Sequence, residues 1–414
     1  AAELPELRPR FVSGNQHIRH AHISPSGARA VFGFRSDIIT LPAEKGDPRN
    51  ITETAGSHEK YPAWSPDGGN IAYFSDESGE YRMIIAPQDG KGETREFPLD
   101  GEGFYAYITW SPDSKHLVFN DNGRNLYLMD AQSGKISKID TDVVYTPGAF
   151  REKFSSWSSD SRWIAYNRIT ATNFRQVLVY SVEEGKSYQV TDGLSNAENP
   201  VFDPEGKYLV FLASTDAGPA VNWFDLSNVE TRMTFSLYLV TLRKDIPNPF
   251  ARESDEEKPA EATGQDSGNE SSKPEKKEPR GKTSESADES KSTIRIDWDG
   301  IGNRIVHIPA KTGYYSQLTY PKPGEILFVA APADRAGSPK LMKFDMKERK
   351  ESEVMELDQY VVSADGKKML YRAKQAWGIT DTGKKPEPGK GLLNTGLLEV
   401  RIDPATEWKQ IFCE

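Results

Sequence analysis

The sequence predicts an all-β fold, a seven-bladed β-propeller of WD40-like repeats, and three observations carry that reading. The first is a repeated phrase, Trp64-Ser65-Pro66-Asp67-Gly68-Gly69-Asn70-Ile71-Ala72-Tyr73. It returns at 110–119 and 157–166, and in looser form from Ile23, Phe202 and Val362. The second is its period: Pro25, Pro66, Pro112, Ser159 and Pro204 follow one another at 41, 46, 47 and 45 residues. Units of that length are four-stranded blades, which bury their faces only against neighbouring blades. The third is the chemistry of the phrase. An aromatic residue ends a short strand, Pro fixes φ, Asp bonds its own backbone and Gly accepts positive φ. The alternating Ile71-Ala72-Tyr73-Phe74 then opens a second strand. One copy would be a hairpin turn; five in register are an architecture.

Blade one spans 17–52, blade two 58–98, blade three 104–140 and blade four 148–191. Blade five starts near Asn196 and carries two insertions. The first, 213–234, contains Trp223 and Phe224 and could fold onto the disc. The second differs in kind. No Val, Ile, Leu, Met or aromatic residue occurs between Phe250 and Ile294, and residues 252–292 hold 12 acids against 8 bases. Such a stretch cannot offset its ordering entropy by burial, so it reads as disordered and solvated. The β pattern resumes in Ile294-Arg295-Ile296-Asp297-Trp298 and Arg304-Ile305-Val306-His307-Ile308, a pair expected to complete blade five.

Blade six, 315–355, keeps only a worn turn, Tyr320-Pro321-Lys322-Pro323-Gly324, and blade seven, 358–402, recovers it as Val362-Ser363-Ala364-Asp365-Gly366. Seven is the count, with six left open around blade five. Every blade is expected to supply its own four strands, so no terminal strand latches the ring and packing of the first blade on the last closes it. Residues 1–16 read as a lead-in from a preceding domain. At the other end Asp403 is an N-cap and Pro404 a first helical residue, followed by an amphipathic pattern through Phe412. Residues 403–414 are therefore expected to open a following helical domain.

Composition sets bounds on function. The 62 acidic against 52 basic residues give a net charge of −10, which argues against sequence-independent DNA or RNA binding. No apolar run approaches the roughly 20 residues that span a bilayer. The opening Ala1-Ala2-Glu3-Leu4-Pro5 lacks the charged and apolar regions of a signal peptide. The single cysteine, Cys413, excludes an internal disulfide and leaves the compartment open.

Catalytic signatures are missing: the sequence has no Gly-x-Ser-x-Gly elbow, phosphate-binding loop, His-Glu-x-x-His or Cys-x-x-Cys. Ser65, Ser111, Ser158 and Ser363 sit in the repeated turn, and a nucleophile has no reason to be copied into every blade. They read as turn serines. His20 and His22, two apart on the innermost strand of blade one, share a face and could in principle bridge a metal, but no acidic or Cys partner lies at short spacing. No cofactor is implied. Asp297-Trp298-Asp299-Gly300 is too short for a calcium loop and reads as a turn. Tyr61, Tyr107 and Phe154 stand three places before the motif's Trp, with His20 and Asn199 in the looser copies. These five should cluster near one mouth of the central channel, where they could grip an extended peptide. Packing between blades is the plainer role for such aromatics.

Taken together these residues resemble the bacterial homologues of tricorn protease, specifically their seven-bladed propeller. The similarity runs through Gly27-Ala28-Arg29-Ala30-Val31-Phe32, Tyr73-Phe74-Ser75-Asp76-Glu77-Ser78-Gly79-Glu80-Tyr81, Pro249-Phe250-Ala251-Arg252-Glu253 and Val400-Arg401-Ile402-Asp403-Pro404. It covers nearly the whole chain and is more specific than the turn phrase, which other propellers share. Cys413 departs from the acidic residue expected in the opening helix. The resemblance implies a parent serine endopeptidase whose nucleophile, histidine and acidic partner lie in domains beyond the propellers, so no catalytic residue transfers to this chain. It also implies a gating role. The expected partners are unfolded polypeptides and the parent's own C-terminal catalytic domains, with self-assembly of the full-length protein left open, and the expected compartment is periplasmic or otherwise exported, with the cytoplasm as the alternative. Two other readings stand beside it: an interaction propeller of the Tol–Pal type, and the gating propeller of a prolyl oligopeptidase-like enzyme.

Overall fold

Each copy of the repeated phrase folds into the same object, an inner strand, a tight turn and a second strand. In the computed structural model, which describes residues 5–99, 103–144, 153–216, 233–251, 293–333 and 337–413, blade two shows the pattern. Its strands Lys60–Trp64, Asn70–Ser75, Arg82–Pro87 and Arg95–Pro98 pair antiparallel in chain order. Six sheets of four such strands and one of three make up the seven blades.

The turn chemistry is the same wherever the phrase is intact. Ser65 Oγ donates to Asp67 Oδ1 at 2.5 Å and accepts the Asn70 N–H at 2.9 Å. Ser111, Ser158 and Ser363 make the corresponding pairs with Asp113, Asp160 and Asp365 and with the N–H groups of His116, Trp163 and Lys368. All four serines are buried, and their hydroxyls are committed to the turn. In blade five Asp203 takes the serine's place, its Oδ2 accepting the Lys207 N–H at 3.0 Å.

The same residues join blade to blade. The Asp67 N–H donates to Ser114 Oγ at 3.0 Å and the Asp113 N–H to Ser161 Oγ at 3.1 Å, each one blade further on. Trp110 Nε1–H reaches back to the Ala63 carbonyl at 3.0 Å. The motif aromatic thus fills the space between blades and also satisfies a neighbour's backbone. Apolar clusters occupy that space, as where Phe74, Met83 and Ile85 of blade two meet Tyr105, Trp110 and Phe119 of blade three. Burial of such side chains, at about 25 cal/mol per Å² of apolar surface, is what one isolated blade could not obtain.

The structure differs from the sequence reading in two places. Residues 294–298 form no strand; only Ile305–His307 pairs as the fourth strand of blade five. The stretch is held against blade four instead. The Ile294 N–H donates to Asp160 Oδ2 at 2.8 Å, its carbonyl accepts from Trp163 Nε1 at 3.2 Å, and Trp298 stacks on Tyr188 at 4.1 Å. Its alternating Ile294 and Ile296 are buried by filling the gap between blades four and five, a pattern that sequence alone cannot tell from a strand.

Ring closure is the second difference. Blade seven contributes three strands to its sheet, and residues 391–393 run beside the third through the Ile379 N–H to Gly391 O and Leu393 N–H to Trp377 O bonds, 2.7 and 2.9 Å. Among the described residues no terminal strand enters a blade, yet Arg10–Ser13 pairs with Glu399–Ile402 in a separate two-stranded ribbon. Val400 and Ile402 of that ribbon join the apolar cluster in which Phe32 of blade one meets Trp377 of blade seven, ring centroids 5.3 Å apart. Closure combines blade-on-blade packing with a clasp between distant parts of the chain.

Helix Pro404–Cys413 begins where Asp403 Oδ1 accepts the Ala405 and Thr406 N–H groups, at 3.2 and 3.4 Å. It lies against the turns of blades one and two, with Glu407 paired to Arg35 at 2.7 Å and Gln410 bonded to the Asp76 carbonyl at 3.2 Å. Residues 252–292, and 217–232 of the first insertion, lie outside the described residues.

Candidate functional site: the channel mouth

All seven blades present one residue at the same step, on the inner strand or, for Phe154, just before it, three places ahead of the motif Trp or its counterpart. His20, Tyr61, Tyr107, Phe154 and Asn199 hold this position in blades one to five, and all five line a single central cavity of about 720 Å³. Gln317 and Gln359 complete the ring from blades six and seven. The sequence reading missed these two. Their signal was the same offset of three, counted back from Tyr320 in the worn copy and from Val362 in the recovered one.

A backbone device aims several of these side chains. The inner strands of blades two, three, five and six shift register at this step, each with one residue bulged out of the ladder. The bulged residues Tyr61, Tyr107, Asn199 and Gln317 have φ of 55°, 59°, 54° and 51°. Left-handed backbone suits Asn, but for L-residues it costs about 1–2 kcal/mol, and it is rare for bulky side chains. Bulges re-aim side chains next to functional sites. Here they bring Tyr61 to 3.8 Å from the His20 ring and 4.9 Å from the Tyr107 ring, a stack that crosses three blades. These aromatics therefore pack between blades and line the cavity at once. Phe154 packs on the cluster beneath blades five and six.

Electrostatics keep the histidines neutral. His20 is lowered to about 4, by burial first and then by His58, Lys60 and Arg19. Burial also lowers His22 to about 4, and its Nδ1, 3.3 Å from Trp64 N and 3.1 Å from Ile23 O, accepts from the first or donates to the second according to its tautomer. Among the described residues no three His, Cys, Asp or Glu side chains gather in a metal-holding group. On the far side Arg175 pairs with Glu198. Gln317 ties blade six to blade seven, donating to the Asp358 carbonyl at 3.1 Å and accepting the Tyr360 N–H at 3.2 Å. Away from the channel, Asp297 accepts the Lys244 N–H at 3.0 Å and Asp299 pairs with Lys244 Nζ at 2.7 Å, so both carboxylates of the calcium-like stretch have partners within the protein.

Fold and mouth together define a seven-bladed propeller with a central cavity opening among its inner strands. Residues 18–383 match the tricorn protease second beta propeller domain, and the chain belongs to that family. It is 24% identical to tricorn protease homolog 1 of Streptomyces coelicolor over 95% of this chain and 36% of that protein. It is 27% identical to putative tricorn protease homolog 2 of the same organism over 98% of this chain and 41% of that protein. The crystal structure of the tricorn protease superposes with a TM-score of 0.75 at 17% identity, covering all of this chain and 37% of that one. The chain thus spans well under half the length of these relatives.

Proposed function

We propose that this chain is the substrate-admitting propeller of a tricorn-like serine protease, passing unfolded polypeptide toward catalytic residues that lie elsewhere in the parent protein. The supporting observation is the convergence of one residue per blade on a single cavity of about 720 Å³. Size supplies the filter. A folded domain of 100 residues has a radius of gyration of about 13 Å and cannot enter such a space, whereas an extended chain advances about 3.3 Å per residue and can. The turn serines, each bonded to an aspartate two residues on, supply shape rather than chemistry.

The test is direct. An unfolded fluorescent polypeptide should bind, the same polypeptide in its folded form should not, and Tyr61→Ala combined with Tyr107→Ala should weaken binding of the unfolded form. Equal affinity for both forms would remove the filter. Stoichiometric capture of one folded partner would instead favour an interaction propeller.

A further inference from the structure

The mouth has two unlike sides. Blades one to four present His20, Tyr61, Tyr107 and Phe154; blades five to seven present the amides Asn199, Gln317 and Gln359. Gln317 is held by its neighbours, but the side chains of Asn199 and Gln359 make no hydrogen bond among the described residues. Asn167 lines the same cavity with its Oδ1 buried and unpartnered, and the residue is only 8% exposed. Asn167 belongs to blade four, next to the amide side, and a buried polar atom without a partner costs about 1–3 kcal/mol, so the cavity is chemically unfinished there.

We infer that the mouth selects extended peptides carrying an aromatic or large apolar side chain, which lies on the His20–Tyr61–Tyr107–Phe154 arc while the peptide backbone bonds to Asn199, Gln359 and Asn167. This rests on the channel reading above and adds the class of peptide that enters. An extended chain has the matching geometry. Its side chains leave on alternate sides, and its N–H and C=O groups project between them. On losing water, those backbone groups need partners of the kind a primary amide supplies, donor and acceptor together. The side chain needs an apolar face, and the stacked rings provide one, His20 being uncharged at neutral pH.

The bulged backbone does not demand a ring at two of these positions. Asn199 occupies the same bulge as Tyr61 and Tyr107, with φ of 54° against 55° and 59°. Asn is the side chain that left-handed backbone accepts best after Gly, so Tyr61→Asn and Tyr107→Asn remove the rings while easing the backbone.

The experiment compares two length-matched, unstructured peptides of Gly, Ser and Thr, one with a central Phe and one without. Binding is followed by fluorescence anisotropy, and melting is checked for every variant. The wild-type protein should hold the Phe peptide about fivefold more tightly, the scale of one aromatic pair. Tyr61→Asn with Tyr107→Asn should bring the two peptides to parity, with the melting curve showing that the variant is still folded at the assay temperature. Asn199→Ala with Gln359→Ala should weaken both peptides equally and keep their ratio. Parity in the wild type, or a ratio that survives loss of both rings, would overturn the inference and leave the channel reading standing. Failure of both peptides to bind the wild type would overturn the channel reading and the inference with it.

Discussion

Glu59 offers a quantitative check on how the mouth face is built. It sits just before the inner strand of blade two, 2% exposed, with Oε1 accepting from Thr54 at 2.7 Å and Ser75 at 3.1 Å while Oε2 has no partner. Burial, with Asp37 and Asp76 adding repulsion, raises its pKa from 4.5 to about 8. The folded protein therefore keeps a proton that the unfolded chain releases through this whole window. Stability is intact below about pH 4.5 and falls by about 1.4 kcal/mol per pH unit until the folded form also ionises. The full loss is about 5 kcal/mol, reached near pH 8, a large fraction of the stability of a typical protein. Glu59→Gln mimics the protonated acid in size and keeps the Oε1 acceptor. Urea unfolding of both proteins across this range should give a stability difference that widens in favour of the variant as pH rises. A difference that stays constant with pH would refute the reasoning, because it would mean that Glu59 ionises alike in both states.

Two further outcomes are expected. Ser111→Ala removes the hydroxyl that donates to Asp113 and accepts the His116 N–H inside a buried turn, so it should destabilise by about 1–3 kcal/mol and be visible as a shifted urea midpoint. Arg35→Ala removes the partner of Glu407. It should speed amide hydrogen exchange in helix Pro404–Cys413 while leaving the strands of blades three to six unchanged, which peptide-resolved exchange would show.

The blades were legible in the sequence because their turn is a local device. Ser, Pro, Asp and Gly fix it within five residues, and the same hydrogen bonds recur in blades two, three, four and seven. What was not legible depends on distant partners. Ile294 and Ile296 alternate as a strand would, but the acceptor that claims the Ile294 N–H is Asp160, 134 residues earlier. The clasp of Arg10–Ser13 on Glu399–Ile402 joins stretches that share no turn and no repeat.

The candidate site lies between these extremes. Counting three back from the motif Trp, or from Ile23 and Phe202 in its place, found His20, Tyr61, Tyr107, Phe154 and Asn199, while the same count from Tyr320 and Val362, which reaches Gln317 and Gln359, was not made. The left-handed backbone of Tyr61 and Tyr107 left no trace in the sequence, since Tyr is no marker of positive φ. A strained conformation persists only where its surroundings over-determine it. Here the surroundings are the ring itself, in which each bulged tyrosine is stacked against a residue of a neighbouring blade, so the mouth takes its shape from the closed disc and no single blade could hold it alone.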